Sequence, residues 1–354
     1  MKIIIRKNKA TFLALFVANL FIAAISSFIL PERFFYDALT IVLDKYNEIG
    51  FFGSYPFSML FYKITALRYL PFFIVAIIQY PIIIHILYKI GLPSDFHIFN
   101  AKNLLVYLGF TMMAIFIGMP SKEFITFLYV ALVPYVFNSD KIRTRYKITL
   151  ALLLLALFGT FFRPYFIILP ILSVGMYLVS LINFKNKTFM SVFYGLLIII
   201  FLSLSHGLIK GQYFSESSRE GLNSERSVAQ DANSMIVSPV KTDTWYGESI
   251  GIVYGFFSVN IPLEGFKHIF SPQIIAFIIW QLALFYILLV RFSRCINNRI
   301  KYDFQFWTLL ILFSFFIVQG VFEPDLGSAI RHKIGIFPLI YYVLYYDHFR
   351  KELR

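Results

Sequence analysis

Residues 69–90 read YLPFFIVAIIQYPIIIHILYKI, with Lys89 the single formal charge in the run. A helix that crosses a bilayer needs roughly 20 mostly apolar residues, and this stretch supplies them. It does not alternate polar with apolar side chains, as a strand of a membrane barrel does. Similar stretches recur along the chain. The expected spans are 11–30, 69–90, 103–119, 124–138, 148–163, 166–184, 189–206, 272–291, 304–321 and 332–347. Composition agrees: 59% of the 354 residues are hydrophobic, 43 are Phe and 14% are charged. A soluble domain is nearer a quarter charged, and so few polar residues cannot clothe a core of this size. The expected fold is all-α, a polytopic transmembrane helical bundle of about ten spans.

The segments between these spans alternate in charge. Those assigned to the cytoplasmic side hold 19 of the 32 Lys and Arg residues and 5 of the 19 acids, so the whole excess of +13 lies there. Clusters such as Lys141-Ile142-Arg143-Thr144-Arg145-Tyr146-Lys147 and the stretch 291–301 flank spans. Basic residues in short cytoplasmic loops fix orientation, so the surplus charge reads as topology and not as a nucleic-acid surface. Ten spans put both termini in the cytoplasm. The N-terminal stretch follows Lys2, Arg6, Lys7 and Lys9 and exceeds a signal-peptide core; no small-x-small site follows it, so it reads as an uncleaved first span. The lone Cys295 leaves no intramolecular disulfide and no CxxC site. HExxH, Walker A and dinucleotide-binding glycine motifs do not occur. No metal and no soluble cofactor is expected, and the chain reads as one membrane domain, 1–354.

The outer segments are where charges need a reason. Segment 31–68 contains the apolar stretch 51–67, interrupted by Pro56 and Lys63, which reads as a re-entrant or interfacial helix. Its Asp37 and Asp44, with Lys45 and Glu48, lack a third ligand at metal-binding spacing. A large loop at about 207–271 reads as solvated over 215–243 and as lying on the membrane surface over 250–270. It carries Arg219, Arg226 and Lys241 among Glu220, Glu225 and Asp231, a basic lid over an anionic substrate or merely a solvated loop; Trp245 and Tyr246 offer faces for sugars. Pro120-Ser121-Lys122-Glu123 is a tight turn with a rim ion pair. Phe161-Phe162-Arg163-Pro164-Tyr165-Phe166 leaves no room for a loop, so Arg163 sits at the interface, snorkelling to lipid phosphate or gripping a substrate phosphate as a bidentate fork. Glu323-Pro324-Asp325-Leu326-Gly327-Ser328-Ala329-Ile330-Arg331-His332 gathers two carboxylates, an arginine and a histidine. That mixture suits glycosyl transfer, in which a base takes a hydroxyl proton and a cation stabilises a departing diphosphate; its alternative is a solvated turn with Glu323 paired to Arg331.

The basic N-terminus, the aromatic-rich spans, one dominant outer loop, Phe162-Arg163-Pro164 and the segment from Glu323 through Pro338 together resemble the Wzy-type O-antigen and capsule repeat-unit polymerases. The resemblance implies an integral-membrane glycosyltransferase of the GT-C-like kind in the bacterial inner membrane, with its active site facing the periplasm. It implies undecaprenyl-diphosphate-linked oligosaccharide as substrate, no cofactor and, in some systems, a chain-length regulator as partner. On that reading Arg163, Arg331, Arg219, Arg226 and Lys122 are placed to bind diphosphate, and Glu323 or Asp325, then His332, to act as base. The rivals are a lipid-linked oligosaccharide flippase, an O-antigen ligase or similar lipid-dependent transferase, and an acetyltransferase drawing on His97 or His348.

Overall fold

The structure, a computed structural model, describes residues 6–44, 48–226, 234–299, 301 and 303–352. Lys2, Lys45 and Asp231, and the side chains of Glu225 and Arg226, lie outside the described residues. The chain folds as α1 (Lys7–Ile29), α2 (Tyr36–Leu43), α3 (Ser54–Ile64), α4 (Phe72–Ile90), α5 (Ala101–Phe116), α6 (Lys122–Val130), α7 (Leu132–Asn138) and α8 (Thr144–Phe161). It continues through α9 (Ile168–Leu181), α10 (Lys187–Lys210), α11 (Gly221–Arg226), α12 (Trp245–Asn260), α13 (Pro272–Asn297), α14 (Asp303–Phe322), α15 (Leu326–Gly335) and α16 (Phe337–Glu352). Among the described residues the only strand-like pairing is an isolated bridge between Met235 and Asp325.

Among the described residues seven helices are long and apolar enough to cross a membrane: Lys7–Ile29, Phe72–Ile90, Thr144–Phe161, Pro164–Leu181, Lys187–Lys210, Pro272–Asn297 and Asp303–Phe322. The other three expected spans differ, and two of them have a common cause. α6 stops at Val130, four residues before Pro134, and α15 stops at Gly335, just short of Pro338. A proline ring clashes with the carbonyl four residues back and donates no hydrogen bond, so each stretch divides into two short helices. α5, with 16 residues, is apolar but short. α3 is an 11-residue helix, about 16 Å long at 1.5 Å per residue. That is too short to cross a ~30 Å core, in keeping with the interfacial reading.

The chain divides into two compact units, Met1–Pro164 with Arg331–Arg354, and Tyr165–Ile330. In the first, α1 packs on α4 and α5, and α16 packs on α4, α5, α6 and α7. Aromatic rings fill these contacts: Phe12 lies 5.7 Å from both Phe96 and Phe110, and Tyr341 lies 5.0 Å from Tyr345. In the second unit α14 is the axis, touching α9, α10, α12 and α13. Its apolar window is 94% buried, against 22% for that of α10. A helix apolar on every side and enclosed is a core element; one with large exposed apolar side chains, as on α10, leaves them to lipid.

The segment read as a solvated loop and a surface-lying stretch is neither throughout. Ser215, Arg219, Ile236 and Thr242 are buried. α12 turns Gly247, Gly251 and Gly255 inward, and packs on α10 and α14. This four-residue spacing of glycines lets backbones approach closely. Arg219 uses the space: its Nη1 donates to the carbonyls of Gly251 at 3.1 Å and Gly320 at 2.8 Å. A Cβ on Gly255 would run into the Gly320 carbonyl and the Arg219 guanidinium, and one on Gly320 would lie 2.5 Å from the Phe256 nitrogen. Gly255→Ala should therefore cost at least the ~1–3 kcal/mol typical of overpacking, read as a lowered thermal unfolding midpoint of the purified protein in detergent.

Candidate functional site

The site is built from four separate stretches of the first unit. Ser121 caps α6, its hydroxyl accepting from the Phe124 N–H at 3.1 Å, and its own N–H donates to the Tyr62 hydroxyl at 3.0 Å. This places Glu123 in the first turn of α6, where helix N–H groups favour a carboxylate. Arg163 follows the end of α8, next to Pro164, which prevents the helix from continuing. Its Nη2 donates to Glu123 Oε1 at 2.6 Å, with the two side chains only 4% and 2% exposed. His332, on α15, brings Nε2 to the same oxygen at 3.3 Å.

A second carboxylate completes the group. Asp37, on α2, accepts from the Tyr55 hydroxyl at 2.6 Å and from Arg331 Nη1 at 3.0 Å, and Lys122 Nζ lies 3.7 Å away. Lys122 also sits 3.6 Å from the centre of the Tyr55 ring, a cation–π contact. Two arginines and a lysine thus face two carboxylates, a formal net charge of +1 before His332 is counted. Burial by itself would raise both carboxyl groups. The Arg163 guanidinium and then His332 outweigh it at Glu123 and hold it at about 2; Lys122 and Arg331 hold Asp37 well below the carboxylate range. Burial pushes the Lys122 ammonium down, and the two carboxylates resist.

Beside these charges is a small cavity of about 10 Å³, room for roughly one water. Asp37, Ser121, Glu123 and Arg331 supply its polar lining, and Phe34, Ile115, Phe116 and Met119 are among its apolar lining.

Four of the eight residues singled out from sequence therefore come together: Arg163, Arg331, Lys122 and His332. The others lie elsewhere or serve the fold. Arg219 braces the glycine face of α12. Arg226 ends α11, and its side chain is outside the described residues. Glu323 is buried, accepting from Gln319 Nε2 at 2.9 Å. Asp325 caps α15, its Oδ1 accepting from the Ser328 N–H at 2.7 Å and its Oδ2 from the Ser328 hydroxyl at 2.9 Å. The rim pair expected between Lys122 and Glu123 gives way to pairs with Asp37 and Arg163. Asp37, Tyr55 and Glu123 are the members that sequence reading undervalued. Ser121-Lys122-Glu123, a capping serine with an acid in the first turn, was the available signal for Glu123. Asp37 had none, because its charged partners are 85 and 294 residues away.

No protein-family model matches the chain, and no curated protein or solved structure matches it.

The Arg163–Glu123 pair generates two expectations. Removing one member of a buried pair costs about 3–5 kcal/mol, because the other charge is stranded. Glu123→Gln and Arg163→Met should each lower the unfolding midpoint strongly, and the double variant should lose less than the two combined, as a double-mutant cycle in detergent will read. The Glu123 carboxyl is depressed from 4.5 to about 2. Its stabilisation is thus complete above its unfolded pKa and is lost as pH falls from about 4.5 toward about 2. A pH series of unfolding midpoints should show that slope in the wild type and a flatter one in Glu123→Gln.

Proposed function

We propose that the protein is an integral-membrane glycosyltransferase of the bacterial inner membrane, which joins undecaprenyl-diphosphate-linked oligosaccharide repeat units into O-antigen or capsular polysaccharide at the periplasmic face. The observation that carries this reading is the convergence of Arg163, Arg331, Lys122 and His332 beside a small cavity lined by both charged and apolar residues. Every contributing segment is one that the charge alternation assigns to the outer side.

The chemistry follows from the residues. A lipid diphosphate brings a dense negative charge to the membrane boundary. Guanidinium groups meet it with two donors in one plane. Asp37 and Glu123 keep the two arginines in place before the ligand arrives, so little reorganisation is needed as charge develops on the leaving group. In the transfer step an acceptor hydroxyl oxygen bonds to the anomeric carbon, the bond from that carbon to the diphosphate oxygen breaks, and the electron pair leaves with the lipid diphosphate. The hydroxyl proton needs an acceptor. His332 is preferred over Glu323 and Asp325, because it belongs to the cation cluster whereas those two serve a buried amide and a helix cap. In its neutral form an imidazole can take that proton.

Arg163→Lys keeps the charge and loses the fork, and Arg331→Ala removes a cation; loss of one preorganised group costs about 10²–10³ in rate. Both, together with His332→Ala, should abolish long-chain polymer at normal protein level in the membrane, seen as single-repeat products on a gel of surface glycan. Wild-type chain lengths in all three would overturn the assignment. A deletion strain separates this reading from a flippase: without a joining enzyme single repeat units still reach the surface, and without a flippase none do.

A further inference from the structure

A second cavity lies wholly in the other unit and plays no part in the site above. It measures about 160 Å³, room for roughly five waters at ~30 Å³ each. That is well below the ~300–1,000 Å³ of a pocket for a drug-sized ligand, and close to what a single sugar ring displaces.

Its walls are built. The stretch 234–236 forms one side and is pinned from two directions. Ile236 N donates to the Pro324 carbonyl at 2.8 Å and Leu326 N to the Ser234 carbonyl at 3.2 Å, while Asn223 Nδ2 donates to the Ile236 carbonyl at 3.0 Å. Asp325, by capping α15, holds the residues against which this side is hydrogen-bonded. The Tyr254 hydroxyl, which donates to Glu264 Oε1 at 2.6 Å, also lines the cavity, as does Ser258, one turn further along α12. His268 adds an imidazole.

The chemistry of the lining selects among ligands. Lys267 Nζ sits 3.7 Å from Glu264 Oε2, so the cavity carries no excess of positive charge to attract a phosphate. The hydroxyl, carboxylate and imidazole groups are wasted on an acyl chain. Pro262, Leu326 and Ile236 supply apolar surface between the polar groups. Polar groups at the edge and apolar surface in between match a pyranose, which has hydroxyls around its rim and C–H groups on its faces.

We propose that this cavity is a glycan subsite, which takes one neutral sugar unit of the oligosaccharide through Glu264, Tyr254, Ser258 and His268. The inference rests on the reading of the protein as a glycan-joining enzyme and adds a second place where it holds its substrate, apart from the cation cluster.

The test uses purified full-length protein in lipid nanodiscs and saturation-transfer NMR with the methyl glycosides of glucose, galactose, rhamnose and N-acetylglucosamine. Transfer to at least one of them is expected. Glu264→Ala, at an exposed residue that folding tolerates, and Ser258→Trp, which fills the space, should each weaken binding about tenfold, equivalent to ~1.4 kcal/mol. Arg163→Lys should leave it intact. No transfer to any glycoside, or undiminished transfer in both variants, overturns the subsite. The deletion strain is scored in parallel. Loss of polymer without any saturation transfer removes the subsite alone, whereas normal polymer removes the enzymatic reading and leaves transfer as the measure of the subsite.

Discussion

Two buried side chains, Arg163 and Glu123, share a 2.6 Å contact, and the organisation of the first unit depends on it. Taking either ion out of water alone costs several kcal/mol. Together they need a geometry that only convergent chain segments provide: the capped start of α6, and a helix end at α8 fixed by Pro164. His332 then joins the same carboxylate oxygen, and Asp37 gathers Arg331, Lys122 and Tyr55 a few ångströms away. Net charge stays positive while each cation has a counter-charge. That balance lets a cationic group persist in a poorly solvated place and still attract an anion.

The polar links also respect the alternation of loop charge. Segments assigned outside bond to one another: 31–68 with 120–123 and with Arg331, and Gly53 N with the Phe161 carbonyl at 2.8 Å. Segments assigned inside do the same. Asp95 takes Lys102 at 2.9 Å and His348 at 3.3 Å, and Asn8 donates to the Pro93 carbonyl at 3.1 Å. In the second unit Arg299, in a segment assigned inside, donates to Ser180 at 3.3 Å, near the end of the span expected at 166–184. Lys147, one of the basic residues read as topogenic, donates to the Phe137 carbonyl near the C-terminus of α7, where helix carbonyls attract cations.

Much of this was legible because the signals are local. A run of apolar residues announces a span whatever surrounds it, and a proline announces a break; Pro134 and Pro338 were readable as such, and their effect on spans four and ten was underestimated. Arg163 and Arg331 stood out because a charge beside an apolar run is costly and needs a reason. The role of Asp325 was harder to see, since an aspartate before a helix can cap it or act on a ligand, and only its contacts with Ser328 show the cap. Arg219 looked solvated because its neighbours in sequence are polar. Three glycines at intervals of four on α12 were the overlooked sign that something would be packed tightly there.

The sequence by itself determined the all-helical character, the position of the apolar segments and the side on which basic residues collect, because those depend on composition over short windows and on the low polarity of the bilayer. Only the tertiary structure decided which charges are partners. Asp37 and Arg331 are 294 residues apart yet 3.0 Å from contact atom to contact atom. Coulomb attraction between them becomes strong only when packing has excluded water and brought them close, and neither condition is written in the residues that flank them.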